Sequence, residues 1–332
     1  MIKNYCFSHV LHQLGLTVVP ILLVSCISPK DDITTRKVSS DQPATSISSN
    51  QPPSPSSNSV KTDELEDAEA QFQKGLAYYR GEGVVKNQQK AITWFRKAAK
   101  QGNAKAQLSL GLMYEQGDGI PRNDQEAVKW YHKAAEQGNI HAQKNLGIMY
   151  YNGNGVTQNY QKAEKWIRKA AKQGNAEAQF SLGVMYENGE GISQNYQEAI
   201  KWYRKAAKQG EVNAQQNLGQ MYHMGEGVTQ NDLEAEKWTR KAAEQGDVNA
   251  QYNLGVMYEK SYGVTQNYQE AIKWYRKAAK QGDARAQLNL GVMYYQSYGV
   301  PQNTQEAIKL FRKAAAQGNA NAQEALRILN VQ

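Results

Sequence analysis

The sequence predicts an all-α fold: a right-handed α-solenoid of helix-turn-helix repeats, with seven 36-residue units and a C-terminal capping helix. Three observations predict it. The glycine of an L-G-x-M-Y signature recurs at Gly111, Gly147, Gly183, Gly219, Gly255 and Gly291, with Gly75 leading the set, always 36 residues apart. All six tryptophans fall at one place in the unit: Trp94, Trp130, Trp166, Trp202, Trp238 and Trp274, with Leu310 in the last copy. Of the 27 glycines, 26 occupy four repeat positions and the other is Gly15. A fixed period of this size marks a stack of two-helix units.

The unit 175–210 shows how each element arises. Asn175 is placed to cap helix A, since its side-chain oxygen can accept from the free amides of the first turn; Asp67, Asn103, Asn139, Asp247, Asp283 and Asn319 take the same place, with Glu211 the exception. Gly189 and Gly191 suit a left-handed helix stop and a tight turn. Asn195 opens helix B with Glu198 three residues on, a capping-box spacing. That pair recurs in four other units, while Lys90 and Lys162 stand at the Glu place in two. Helix B ends at Gly210. Ala178, Leu182 and Met185/Tyr186 form one face of helix A, and Ala199/Ile200, Trp202/Tyr203 and Ala206/Ala207 the matching stripe of helix B. Each large apolar side chain contributes roughly 1.5–3 kcal/mol when buried. One helix pair cannot cover both of its faces, so the copies must stack.

The motif L-G-x-M-Y-x-x-G-x-G-V-x-Q-N-x-x-E-A-x-x-W-Y-R-K-A-A-x-Q-G resembles the Sel1-like repeat family, a relative of the tetratricopeptide repeat. The resemblance implies an α-solenoid adaptor, often in bacterial envelopes or host-facing roles, with helix A lining the concave side. It does not imply catalysis. A cysteine-rich branch of the family ties each unit with a disulfide and is linked to β-lactam binding or hydrolysis. That gives an alternative reading as a cell-wall-acting protein, but this chain lacks the paired cysteines.

Residues 1–25 read as an export signal: Lys3, then a mostly apolar run over Val10–Val24, too short and interrupted to span a membrane. Leu23-Val24-Ser25-Cys26 resembles the lipobox of bacterial lipoproteins, which makes Cys26 the expected lipidation site and a lipid anchor the expected membrane contact. Ile27 in place of Asp leans the expectation toward the outer membrane, facing periplasm or surface. Residues 26–60, rich in Ser, Pro, Asn, Gln and Asp, read as a disordered tether after the lipidated Cys. The repeat domain is expected over 61–332. Ala320–Leu329 starts an eighth helix A with Arg327 at the marker-glycine place, as suits a terminal cap. Cys6 and Cys26 are the two cysteines, so no disulfide within the exported chain is expected.

Two surfaces are candidates for function. On helix A, the outer residues Tyr79, Glu115, Tyr151, Glu187, His223, Glu259 and Tyr295 vary between copies and are expected to grip a protein or peptide partner. The row beside them, mostly Val, Leu and Ile, equally suits packing against the next unit. On helix B, repeated Lys, Arg and Lys, such as Lys201/Arg204/Lys205, account for most of the +8 formal charge. This ridge reads as a solvated face partly neutralised by the nearby Glu row, or as a contact for anionic lipid. No nucleic-acid motif accompanies it, so nucleic acid is not an expected partner. His132, His141 and His223 lie in different units with no metal-ligand spacing. No G-x-S-x-G or phosphate-cradling glycine loop occurs, so neither enzyme activity nor a cofactor is expected, and the chain is expected to be a monomer.

Overall fold

The computed structural model describes residues 67–330, so the expected export signal, Cys26 and the expected tether lie outside the described residues. Every regular element among the described residues is a helix. Helix A of the seven repeats is α1 (Ala68–Arg80), α3 (Ala104–Gln116), α5 (Ile140–Asn152), α7 (Ala176–Asn188), α9 (Val212–Met224), α11 (Val248–Lys260) and α13 (Ala284–Gln296). Helix B is α2 (Gln88–Lys100), α4 (Asp124–Glu136), α6 (Tyr160–Lys172), α8 (Tyr196–Lys208), α10 (Asp232–Glu244), α12 (Tyr268–Lys280) and α14 (Thr304–Ala316). The capping helix α15 spans Ala320–Ile328.

The chain divides into two compact units within the fourth repeat. The first holds α1 to α6 and most of α7; the second holds the end of α7 and α8 to α15. Consecutive helices pack in chain order, from α1 to α6 in the first unit and from α8 to α15 in the second.

The caps form as the spacing predicts, with one difference. Each helix-B asparagine accepts from the amide three residues on, as Asn195 does from Glu198 at 3.0 Å. The reciprocal half of the capping box is absent. The Asn195 amide donates instead to the Tyr186 carbonyl at 2.8 Å, which ties the turn back onto helix A. The freed glutamate bonds the lysine three residues on, as in Glu126–Lys129 and Glu234–Lys237. Units carrying Lys90 or Lys162 therefore cap equally well through Asn87 and Asn159. Where the helix-A stop lacks glycine, Ser261 and Ser297 take φ of 65° and 61°. Their hydroxyls donate to Val264 and Val300 carbonyls at 2.9 and 3.0 Å, which offsets part of the cost of that conformation.

Two devices fix the packing. Within a repeat, the marker glycine lies under the large side chain of helix B. A Cβ on Gly111 would sit 2.5 Å from the Tyr131 ring, and one on Gly147 2.5 Å from Ile167 Cγ1. Between repeats, a glutamine that is 3–5 % exposed crosses the junction from the second repeat to the seventh. Gln143 Nε2 donates to the Ala135 carbonyl of the preceding helix B at 3.1 Å. Its Oε1 accepts from Gln173 at the end of its own helix B at 2.7 Å. Gln173 also donates to the Gly138 carbonyl of the preceding repeat at 3.3 Å. The second unit repeats the arrangement through Gln215, Gln251 and Gln287.

Gly111→Ala is expected to destabilise the protein by about 1–3 kcal/mol through overpacking against Tyr131, read as a lower urea midpoint with an unchanged helical circular-dichroism spectrum at 20 °C. Gln143→Leu, close in volume but unable to bridge, is expected to cost about 1–2 kcal/mol; an unchanged midpoint would show that the glutamine bridge is incidental.

Candidate partner-binding surfaces

The outer residues of helix A are all held by the chain itself or partly covered, in two alternating modes. Where the thirteenth residue of a repeat is Glu, helix B of the same repeat carries Tyr sixteen residues later and the two bond. Tyr131 donates to Glu115, Tyr203 to Glu187, and Tyr275 to Glu259 at 2.7 Å. Where the thirteenth residue is aromatic, helix B carries Phe, Ile or Thr, and the ring reaches toward the next repeat. Tyr79 donates to Asp118 at 2.7 Å and Tyr151 donates to Glu190. His223 lies 5.1 Å, ring to ring, from Tyr262 and bonds Asp232 at 2.7 Å. Tyr295 packs beside the core formed by α13, α14 and α15. Glu259 is buried, and the other six outer residues are half-buried.

Burial acts on several of these groups. The Tyr151 phenol is pushed above its ordinary range by burial and by its bond to Glu190. Burial raises the Glu187 carboxyl, the Tyr203 hydrogen bond opposes that rise, and the charge of Glu226 adds to it. In the adjoining row Ile148, Val184 and Val292 are buried, and Leu76, Leu112 and Val256 pack partly buried against the core. Packing between repeats, the second of the two readings of this row, is therefore its role.

The helix-B ridge is largely occupied within the chain. The lysine three residues after each tryptophan lies over its ring, at 4.1 Å for Lys205 on Trp202 and 3.9 Å for Lys277 on Trp274. The arginine beside it reaches the next repeat: Arg96 bonds the Tyr114 hydroxyl at 3.1 Å and Arg276 that of Tyr294 at 2.6 Å. Lys129, Lys201, Lys237, Lys273 and Lys309 pair with the Glu row, as Lys201 does with Glu198 and Lys273 with Glu270. Glu198, Lys201, Trp202, Arg204, Lys205 and Lys208 line an open cleft on α8. Among the described residues no group of three His, Cys, Asp or Glu side chains could hold a metal ion, and no helix is long and apolar enough to cross a membrane.

The glutamine bridges and the Arg–Tyr ties were not legible as contacts. Only the presence of Ala-Gln at the start of every helix A and of Gln-Gly at the end of every helix B hinted at them.

These helix pairs, stacked by residues repeated at one spacing, define an α-helical repeat protein of the solenoid class. A profile of the Sel1 repeat matches seven consecutive segments, 68–103, 104–139, 140–175, 176–211, 212–247, 248–283 and 284–319. The chain belongs to the Sel1-repeat family. It is similar to a protective antigen of uropathogenic Escherichia coli strains that displays this fold, with 40% identity and a TM-score of 0.77. The match covers 79% of this chain and 56% of that one, so the chain spans little more than half the length of that relative. A Sel1 repeat protein from Oxalobacter formigenes is 38% identical with a TM-score of 0.66, over 79% of this chain and 76% of that one. No curated protein matches the chain by sequence. Sel1-repeat proteins are in general scaffolds for protein interaction.

The raised Glu187 carboxyl has a defined sign in stability. A carboxyl raised on folding contributes stability that is fully present below its unfolded value, 4.5, and is lost as pH rises through the folded value. Glu187→Gln keeps an acceptor for Tyr203 without the charge. Its denaturant midpoint is expected to exceed that of the parent at pH 7 and to converge on it near pH 4. A pH-independent difference would show that Glu187 is not held in this way.

Proposed function

We propose that this protein is a lipid-anchored scaffold of the bacterial cell envelope that holds protein or peptide partners on its helix-A faces. The observation that carries the reading is the contrast between frame and surface. The marker glycines, buried glutamines and tryptophans repeat almost without change, while the outer helix-A position holds Tyr79, Glu115, Tyr151, Glu187, His223, Glu259 and Tyr295 in successive copies. An invariant frame presenting variable side chains suits recognition of an extended or helical segment. The lipobox-like Leu23-Val24-Ser25-Cys26 supports the anchor. Two or more acyl chains, each CH₂ burying about 0.8 kcal/mol, hold a protein firmly to a bilayer. The Escherichia coli relative, a protective antigen, is in keeping with an outward-facing address.

Two measurements test the reading. Metabolic labelling with a palmitate analogue is expected to mark the parent and not Cys26→Ser, which should leave the membrane fraction; an unlabelled, soluble parent would remove the anchor. A photo-crosslinking amino acid at Tyr79, Tyr151 or Tyr295 in living cells is expected to yield discrete protein adducts. Their absence at all three would remove the helix-A surface.

A further inference from the structure

The repeats act as internal controls for one another, and the fifth departs from them in one place. At the twenty-third position six copies carry Gln and the fifth carries Leu233. At the fourteenth the others carry Arg, Gln, Asn, Asn, Lys and Gln, and the fifth carries Met224. Both apolar side chains are exposed, Leu233 by 67% and Met224 by 41%. In compensation, the inner row of the same helix turns polar, with Gln216 and Gln220 where most copies are apolar. The exchange costs apolar burial and exposes apolar surface, so folding does not explain it.

The departure gathers neighbours. Among the described residues six large apolar or aromatic side chains are exposed, and four of them lie at or beside this turn: Met224 and Leu233 flank it, Tyr196 opens α8 in the repeat before, and Tyr262 stands in the turn of the repeat after. Tyr196 packs on Gly227, whose Cβ would lie 2.4 Å from its own. The Tyr262 ring lies tilted against that of His223, and His223 bonds Asp232, the residue before Leu233. All of these residues lie in the second compact unit.

Electrostatics mark the same turn. In the second and fourth repeats the acid at the sixteenth position is met by a tyrosine from the preceding repeat, Asp118 by Tyr79 and Glu190 by Tyr151, and in the first repeat Glu82 pairs with Arg80. Glu226 instead faces Glu187, and among the described residues it makes no side-chain hydrogen bond or ion pair. Nearby charges are already matched: Glu234 by Lys237, Glu236 by Arg240 and Lys260 by Glu259. An apolar patch beside two apposed carboxylates lacks a cation.

We propose that the turn of the fifth repeat docks a peptide segment carrying a basic side chain next to an apolar one. The basic group answers Glu226 and Glu187, and the apolar group covers Leu233, Met224 and Tyr262. A polar rim around an apolar anchor of this kind is how compact peptide sites gain both affinity and selectivity. The unmatched carboxylates disfavour an anionic lipid surface at this edge. The inference rests on the protein-binding reading above and adds its place and the chemistry of its partner.

The test uses the full chain and a panel of 12-residue fluorescent peptides with two fixed apolar residues flanked by basic, neutral or acidic ones, read by fluorescence anisotropy at low salt. Basic peptides are expected to bind at least fivefold tighter than acidic ones. Leu233→Gln, which restores the residue of the other copies, and Glu226→Gln are each expected to weaken that binding at least fivefold with unchanged melting temperature. Gln197→Ala in the fourth repeat is expected to leave it within twofold. Binding that ignores peptide charge, survives both variants, or is absent across the panel overturns the inference. So does concentration-dependent dimerisation abolished by Leu233→Gln without peptide binding, which would assign the patch to a second copy. If in-cell adducts form at the helix-A tyrosines while both variants bind as the parent does, the scaffold reading stands and this site falls.

Discussion

A side-chain amide buried at each junction sets the register of the stack. Gln107, Gln143, Gln179, Gln215, Gln251 and Gln287 each reach the helix-B carbonyl of the repeat before. Gln107, Gln143, Gln215, Gln251 and Gln287 also accept from the glutamine that closes their own repeat. An amide with donor and acceptor both satisfied is tolerated inside a protein, and an unsatisfied one costs about 1–3 kcal/mol. A slip between helices would leave these groups without partners. Apolar contacts alone, being non-directional, would penalise such a slip less sharply.

The marker glycine does the complementary work inside each repeat. With no Cβ at Gly75, Gly111 or Gly255, the rings of Phe95, Tyr131 and Tyr275 lie directly on the helix-A backbone. These aromatics are almost fully buried. The polar ends of Tyr131 and Tyr275 find Glu115 and Glu259, which explains why Glu on helix A and Tyr on helix B occur together and why Phe or Ile on helix B goes with Tyr on helix A. The outer residues of helix A therefore serve the frame as well as any partner. Recognition must work around bonds that already exist, and it favours the places where a copy breaks the shared pattern.

Much of the architecture was legible in single residues. The period, helix pairs, asparagine caps and glycine stops follow from spacing, because they depend on groups within a few residues of one another. The capping box was only half right: the amide expected to pair with Glu198 is taken by the Tyr186 carbonyl nine residues back, a partner that exists only once the turn has closed. The helix-B basic residues read from sequence as a charged ridge. In the structure Arg96 and Arg276 spend their charge on tyrosines eighteen residues ahead, and Lys205 and Lys277 lie on indole rings.

The sequence by itself determined that this chain is a row of two-helix repeats of the Sel1 type, because periodicity and capping are local properties and the motif repeats seven times. Only the tertiary structure decided which polar residues are joints and which are free. Whether a glutamine is buried, whether Glu187 meets a tyrosine, and whether Leu233 faces core or solvent depend on neighbours 16 to 39 positions away along the chain. Those neighbours are brought together by helix packing, whose geometry no local pattern encodes.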